Sequence, residues 1–198
     1  MFSLTEEMRN NEWVSFCDNL QKSGLYGVFE DYGLEKLKDE VMSSPCGIRE
    51  ESGTAYHGAL AVHVDKTITV IERLLPLVRG TLNIEPAVAA KICVLMHLPK
   101  RYMFEPNDND WEINVARKPF KFREDLEGVL TVGDRAIMDA MLMGITVSPI
   151  EAEAIKTMDK ENEPDNNPYK SILTLLVRQA NEIAYAIERE RFKKFLKK

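Results

Sequence analysis

Tyr56-His57-Gly58-Ala59-Leu60-Ala61-Val62-His63 and the residues that follow decide the fold. From Ala59 onward the apolar positions Leu60, Val64, Thr67, Ile68, Ile71, Leu74 and Leu75 recur at steps of three and four, which is the period of a helix and not of a strand. A second apolar stretch, Ala87 to His97, reads as a buried central helix. Asn83 is placed to cap it, and Pro86 stands in its first turn, where a missing N–H costs nothing. His63 therefore falls within one predicted helix and His97 at the C-terminal end of the next.

Outward from this pair the chain continues to read as helical. Ser3-Leu4-Thr5-Glu6 has the form of a capping box, predicting an opening helix to about residue 21. Gly24, Gly27 and Gly33 punctuate a connection to a helix from Leu34 to about Met42, which the Ser44-Pro45 step ends. Residues 44–55 read as a loop, and residues 99–130 as a long loop or short irregular pieces. Residues 133–143 predict a short helix stopped by Gly144, and Ser148-Pro149-Ile150-Glu151 is a second capping box opening a helix to about residue 160. A polar turn over residues 161–168 closes on Asn167 as an N-cap, before a last helix from Tyr169. No repeat and no strand pattern long enough for a sheet is present, so the expected class is all-α.

A chain of 198 residues suits one compact domain. Its 44% apolar and 29% charged content is that of a folding globular sequence, far from the composition of disordered chains. A net charge of −6 disfavours nonspecific attraction to nucleic acid or an anionic membrane. Cys17, Cys46 and Cys93 form no CxxC or zinc-finger spacing, which points to a reducing, cytoplasmic setting. The N-terminus lacks the basic and apolar regions of a signal peptide, and no apolar run approaches the roughly 18 residues of a membrane span.

Several segments, in order, resemble the HD-domain superfamily of metal-dependent phosphohydrolases. Ser44-Pro45-Cys46 is similar to the family's small-Pro-Ala-Ser stretch, and Tyr56 to His63 to its Tyr-x-Gly-Gly-Leu-x-x-His, whose final histidine is the first metal ligand. Leu95-Met96-His97 followed by Leu98-Pro99-Lys100 resembles Leu-Leu-His-Asp-Leu-x-Lys with the signature Asp deleted. Gly133-Asp134-Arg135-Ala136-Ile137 and the segment from Ser148 to Lys156 resemble two later subfamily stretches; Val132 and Met158 stand where members often carry histidines. Gln179-Ala180-Asn181-Glu182-Ile183-Ala184 resembles Ala-Asp-x-x-Ala, with Asn181 at the last ligand position. The resemblance implies an HD-like helical bundle over residues 34–198, one compact unit, preceded by an extra N-terminal helix and connection over residues 1–33. It makes His63 and His97 vestigial metal ligands.

Each departure falls on a ligand position. A hard divalent metal that polarises a phosphoryl oxygen needs carboxylate charge beside its imidazoles, and Asn181 offers only a neutral oxygen. His57, Asp108, Asp110 and Asp134 are the possible substitute ligands. Six residues of helix turn about 600°, so His57 joins His63 only from a preceding loop. A three-histidine zinc site is thus weighed against packed, hydrogen-bonded core histidines. Asp65 points to another helix face and reads as solvated, the Asp108/Asp110 pair as a turn, and Cys93 as a buried inert thiol.

The segment from Glu188 to Lys198 holds six basic and two acidic residues, with Phe192, Phe195 and Leu196 at helical spacing. It reads as a helix end whose cations suit the C-terminus and whose aromatic face packs on the domain. The sharper alternative is an interaction surface of Arg189, Arg191, Lys193, Lys194, Lys197 and Lys198 for an acidic protein or a phosphate backbone. Met138-Asp139-Ala140-Met141-Leu142-Met143 is a soft apolar stretch able to serve as core or as a partner face. The expected function is that of a catalytically inactive HD-fold protein without a cofactor, acting by binding within a larger assembly. Its expected partner is a protein or a second copy, with a nucleotide possible. The alternative is a divergent phosphohydrolase acting on a nucleotide or other phosphoester, with manganese, iron or zinc.

Overall fold

The computed structural model describes residues 2–80, 83–126, 130–156 and 171–196. Helices account for its architecture. They are α1 (Glu6–Lys22), α2 (Tyr26–Tyr32), α3 (Leu34–Ser43), α4 (Ala59–Leu74), α5 (Pro86–Leu95), α6 (Lys100–Met103), α7 (Asp110–Asn114), α8 (Val132–Leu142), α9 (Pro149–Lys156) and α10 (Ile172–Leu196), with 3-10 turns at Glu50–Ser52 and Leu75–Val78. Among the described residues no helix is long and apolar enough to cross a membrane.

α4 is the central element. Its residues Leu60, His63, Val64, Thr67, Ile68 and Ile71 are all buried, packed on one side by α10 and on others by α1 and α5. α1 brings Phe16 and Leu20 into the same hydrophobic cluster as α3, α4, α5 and α10, so residues 1–33 share one core with the rest. Asn19 Nδ2 donates to Asp65 Oδ1 at 3.0 Å, tying α1 to α4, so Asp65 is a tether and not a solvated carboxylate. Gly58 precedes α4 at φ 86°, and a Cβ there would lie 3.0 Å from Leu4 Cδ1 and 3.1 Å from Met42 Cε. The glycine of the opening motif thus lets the N-terminal segment and α3 close over the start of α4.

The structure moves several predicted boundaries. The cap of α1 is Thr5, whose Oγ1 accepts from the Met8 N–H at 3.2 Å, and not Ser3. Glu85, not Asn83, precedes Pro86 at the start of α5. α2 lies in the supposed connection: Gly24 at φ 72° and Gly33 at φ 105° mark its two ends, and these turn signals hid the short helix between them. A hairpin also forms where no sheet was expected. Strands β1 (Phe104–Pro106) and β2 (Phe120–Phe122) pair antiparallel, Phe104 opposite Phe122, and are too short to show an alternating pattern. Asn107 Nδ2 holds the intervening loop by donating to Lys118 O at 3.0 Å and to Glu112 Oε2 at 2.7 Å. The Ser148–Glu151 box forms as expected, with Ser148 N–H donating to Glu151 Oε2 at 2.7 Å. The turn predicted at residues 161–168, Met158 and the start of the last helix at Tyr169 lie outside the described residues.

Candidate functional site

α4 contributes His63, the turn after α5 contributes His97, and α10 contributes Asn181, Tyr185 and Glu188, spaced four and seven residues apart so that they share one helix face. His63 and His97 are fully buried, and Asn181 and Glu188 nearly so. The imidazoles meet edge to face with centroids 4.7 Å apart. Both Nε2 atoms converge on Asn181 Oδ1, at 2.9 Å from His63 and 3.0 Å from His97. Their outer nitrogens are also engaged: His97 Nδ1 lies 2.8 Å from Cys93 O, and His63 Nδ1 lies 2.6 Å from Glu188 Oε2.

Hydrogen-bond chemistry fixes the protons. A backbone carbonyl only accepts, so His97 carries its proton on Nδ1 and presents a lone pair at Nε2. Burial, reinforced by His63 and the Lys100 ammonium, holds His97 well below the usual imidazole range. Burial first, and then Lys100, brings His63 down to about 3, so both rings are neutral at physiological pH. With His63 donating from Nδ1 to Glu188, two Nε2 lone pairs face one amide end. An NH2 group, with two hydrogens, serves both; a carbonyl oxygen serves neither. The structure sets Asn181 Oδ1 at both contacts; exchanging the two ends of the amide places its NH2 there instead, so that each imidazole lone pair meets a hydrogen and the contacts run continuously through Cys93 O, His97, Asn181, His63 and Glu188. Burial pushes Glu188 up to about 8, against the pull of Lys100, Lys66 and Arg191.

A cation closes the other side. Lys100 is buried, and its Nζ donates to Tyr185 Oη at 2.8 Å and to Cys46 O at 3.1 Å, and lies 3.5 Å from Cys46 Sγ. The Tyr185 ring in turn stacks at 4.1 Å on His63. Cys46, His63 and His97 are, among the described residues, the group of potential metal ligands that comes together, their ligand atoms lying within 4.8 Å of one another.

This donor set does not fit a hard divalent metal. Around the convergence point stand two neutral imidazoles, an amide and a thiol that burial holds protonated. The nearby carboxylate, Glu188, binds the outer nitrogen of His63, and the Lys100 ammonium occupies the ground a second cation would need. The proposed substitutes are elsewhere. His57 is exposed, its Nδ1 bound to Ser43 O, and its ring lies against Phe120. Asp108 pairs with Lys121 at 2.8 Å on the loop surface, Asp110 is exposed in the first turn of α7, and Asp134 caps α8 and pairs with Lys156. None of the four joins the Cys46, His63 and His97 group.

The core histidines and Asn181 were readable from the sequence; Cys46, Lys100, Tyr185 and Glu188 were missed. Helical spacing from Asn181 was a usable signal for Tyr185 and Glu188, whereas Cys46 and Lys100 lie within segments matched to the family but carried no sign of a place in the site. At the C-terminus Arg189, Arg191, Lys193 and Lys194 are exposed, Phe195 packs edge-on against Phe2, and Lys197 and Lys198 lie outside the described residues. Comparison with family models, with curated proteins and with solved structures found no match.

Proposed function

We propose that the chain is a catalytically inactive relative of the HD-domain phosphohydrolases that acts by binding, as a structural or regulatory component of a larger assembly in a reducing, cytoplasmic setting. The observation that carries this reading is the closed network at the ligand positions: both ring nitrogens of His63 and of His97 are buried and engaged with a side chain or a carbonyl, and Lys100 supplies positive charge beside them. A phosphoester has no open donor to displace. The partner is a protein or a second copy of the chain. In support, Met138, Met141 and Leu142 lie three and four residues apart on α8 and are 47%, 72% and 83% exposed, an apolar face unusual for an unpartnered surface.

Elemental analysis of protein purified without chelator, paired with hydrolysis assays on a nucleotide and phosphodiester panel with added manganese, tests the reading. The expected result is substoichiometric metal and no turnover. One tightly held manganese, iron or zinc per chain with metal-dependent hydrolysis overturns it. That outcome would support the second reading, a divergent phosphohydrolase, which the approach of Cys46 to His63 and His97 favours as a replacement ligand set for a softer metal such as zinc.

A further inference from the structure

Glu188 belongs to two environments. Its Oε2 meets His63 Nδ1, while Oε1 is buried and lacks a hydrogen-bond partner, in a residue only 3% exposed. A buried carboxylate oxygen without a donor is costly, and native structures leave few of them. The same residue lines a cavity of about 130 Å³ between the N-terminal segment, the first turns of α1 and the last turns of α10. That volume is close to what holds a benzene ring in an apolar protein cavity.

The walls state what kind of molecule fits. Phe2, Leu4, Phe192 and Phe195 are apolar, and Phe2 stands nearly perpendicular both to Tyr56, at 4.7 Å, and to Phe195, at 5.1 Å, so aromatic faces are presented from different directions. Glu12 adds a second carboxyl group, beside the single cation Arg191. Aromatic faces and carboxylates together attract organic cations. The unpartnered Oε1 of Glu188 adds a further requirement, a hydrogen-bond donor.

We propose that this cavity binds a small primary ammonium, of alkyl- or arylmethylammonium size, which donates to Glu188 Oε1 and lays its apolar body among Phe2, Leu4, Phe192 and Phe195. A quaternary ammonium satisfies the aromatic walls but offers no hydrogen bond; a neutral alcohol offers the hydrogen bond without the charge. The proposal goes beyond the HD-fold reading and does not depend on it.

Calorimetric titration of the full chain with benzylammonium, tetramethylammonium and benzyl alcohol tests it. Benzylammonium is expected to bind once per chain, and the other two about tenfold more weakly or worse, the loss that accompanies one charge-assisted hydrogen bond. Glu188→Gln keeps an amide oxygen for His63 and places an NH2 at the open position, so it should weaken benzylammonium by about tenfold or more. Equal binding of the alcohol, no binding of benzylammonium, or full affinity in a folded Glu188→Gln overturns the proposal. If Glu188→Gln does not fold, Glu12→Gln and Phe195→Ala decide: weakened binding in either supports the site, and unchanged affinity in both overturns it.

Discussion

At Asn181 the difference between an amide and a carboxylate decides which way protons run. The NH2 serves two imidazole lone pairs; a carboxylate there would face both of them with no hydrogen to share. Asn181→Asp should therefore cost about 3 kcal/mol in chelated buffer, the scale of an uncompensated buried charge. Added zinc or manganese should recover part of that in thermal melts while leaving the wild type unmoved; a variant as stable as wild type without metal would refute the proton arrangement. The His63–Glu188 contact also predicts a pH profile. The folded-state pKa of His63, about 3, lies below its ordinary 6.5, so its contribution is complete above pH 6.5 and is lost as pH falls from 6.5 toward 3. That of Glu188, about 8, lies above its ordinary 4.5, so its contribution is complete below pH 4.5 and is lost as pH rises from 4.5 toward 8. The two slopes oppose each other between pH 4.5 and 6.5, and Glu188 alone acts above that. Urea titrations should show Glu188→Gln gaining on the wild type as pH rises from 6.5 to 8; a constant difference would exclude the raised carboxyl. The sequence revealed the two histidines and the amide because each sits in a local motif. Glu188 and Lys100 were hidden as partners because a charged residue reads as solvated until its burial is known.

Among the elements, α10 and the 3-10 turn Glu50–Ser52 meet at Gly53. The glycine has φ 75°, and a Cβ there would lie 2.6 Å from the carbonyl oxygen of Glu188, too close for any side chain. Gly53→Ala should destabilise by about 2 kcal/mol or more, combining left-handed strain with the clash, measured by equilibrium urea unfolding. A neutral effect would mean that the turn does not press on α10. The long helices were legible because three- and four-residue periodicity accumulates over many turns. α2, α6, α7 and the hairpin were not, being shorter than the window in which a period shows. The caps slipped by two residues at α1 and at α5, where several small polar residues compete and the backbone geometry chooses among them.

For the molecule as a whole, α1 is part of the core and not an appendage. Phe16 and Leu20 are at most 1% exposed against α4 and α5, so removing residues 1–33 should leave residues 34–198 without a cooperative melt by circular dichroism and differential scanning calorimetry. A sharp transition in that fragment would show a self-sufficient bundle instead. The all-α class followed from the sequence, and one compact domain was expected from its length; the particular helices that α1 meets were not legible, because its local pattern does not name them. The polar contacts that join α4 to α10 span 118 and 125 residues of chain, from His63 to Asn181 and to Glu188. Closing loops of that length is entropically expensive and comes late, so the helical hairpins nearer in sequence should assemble first. Until α10 docks, the His63 side of α4 is a wet, unsatisfied groove, and refolding kinetics should carry the signature of that final closure.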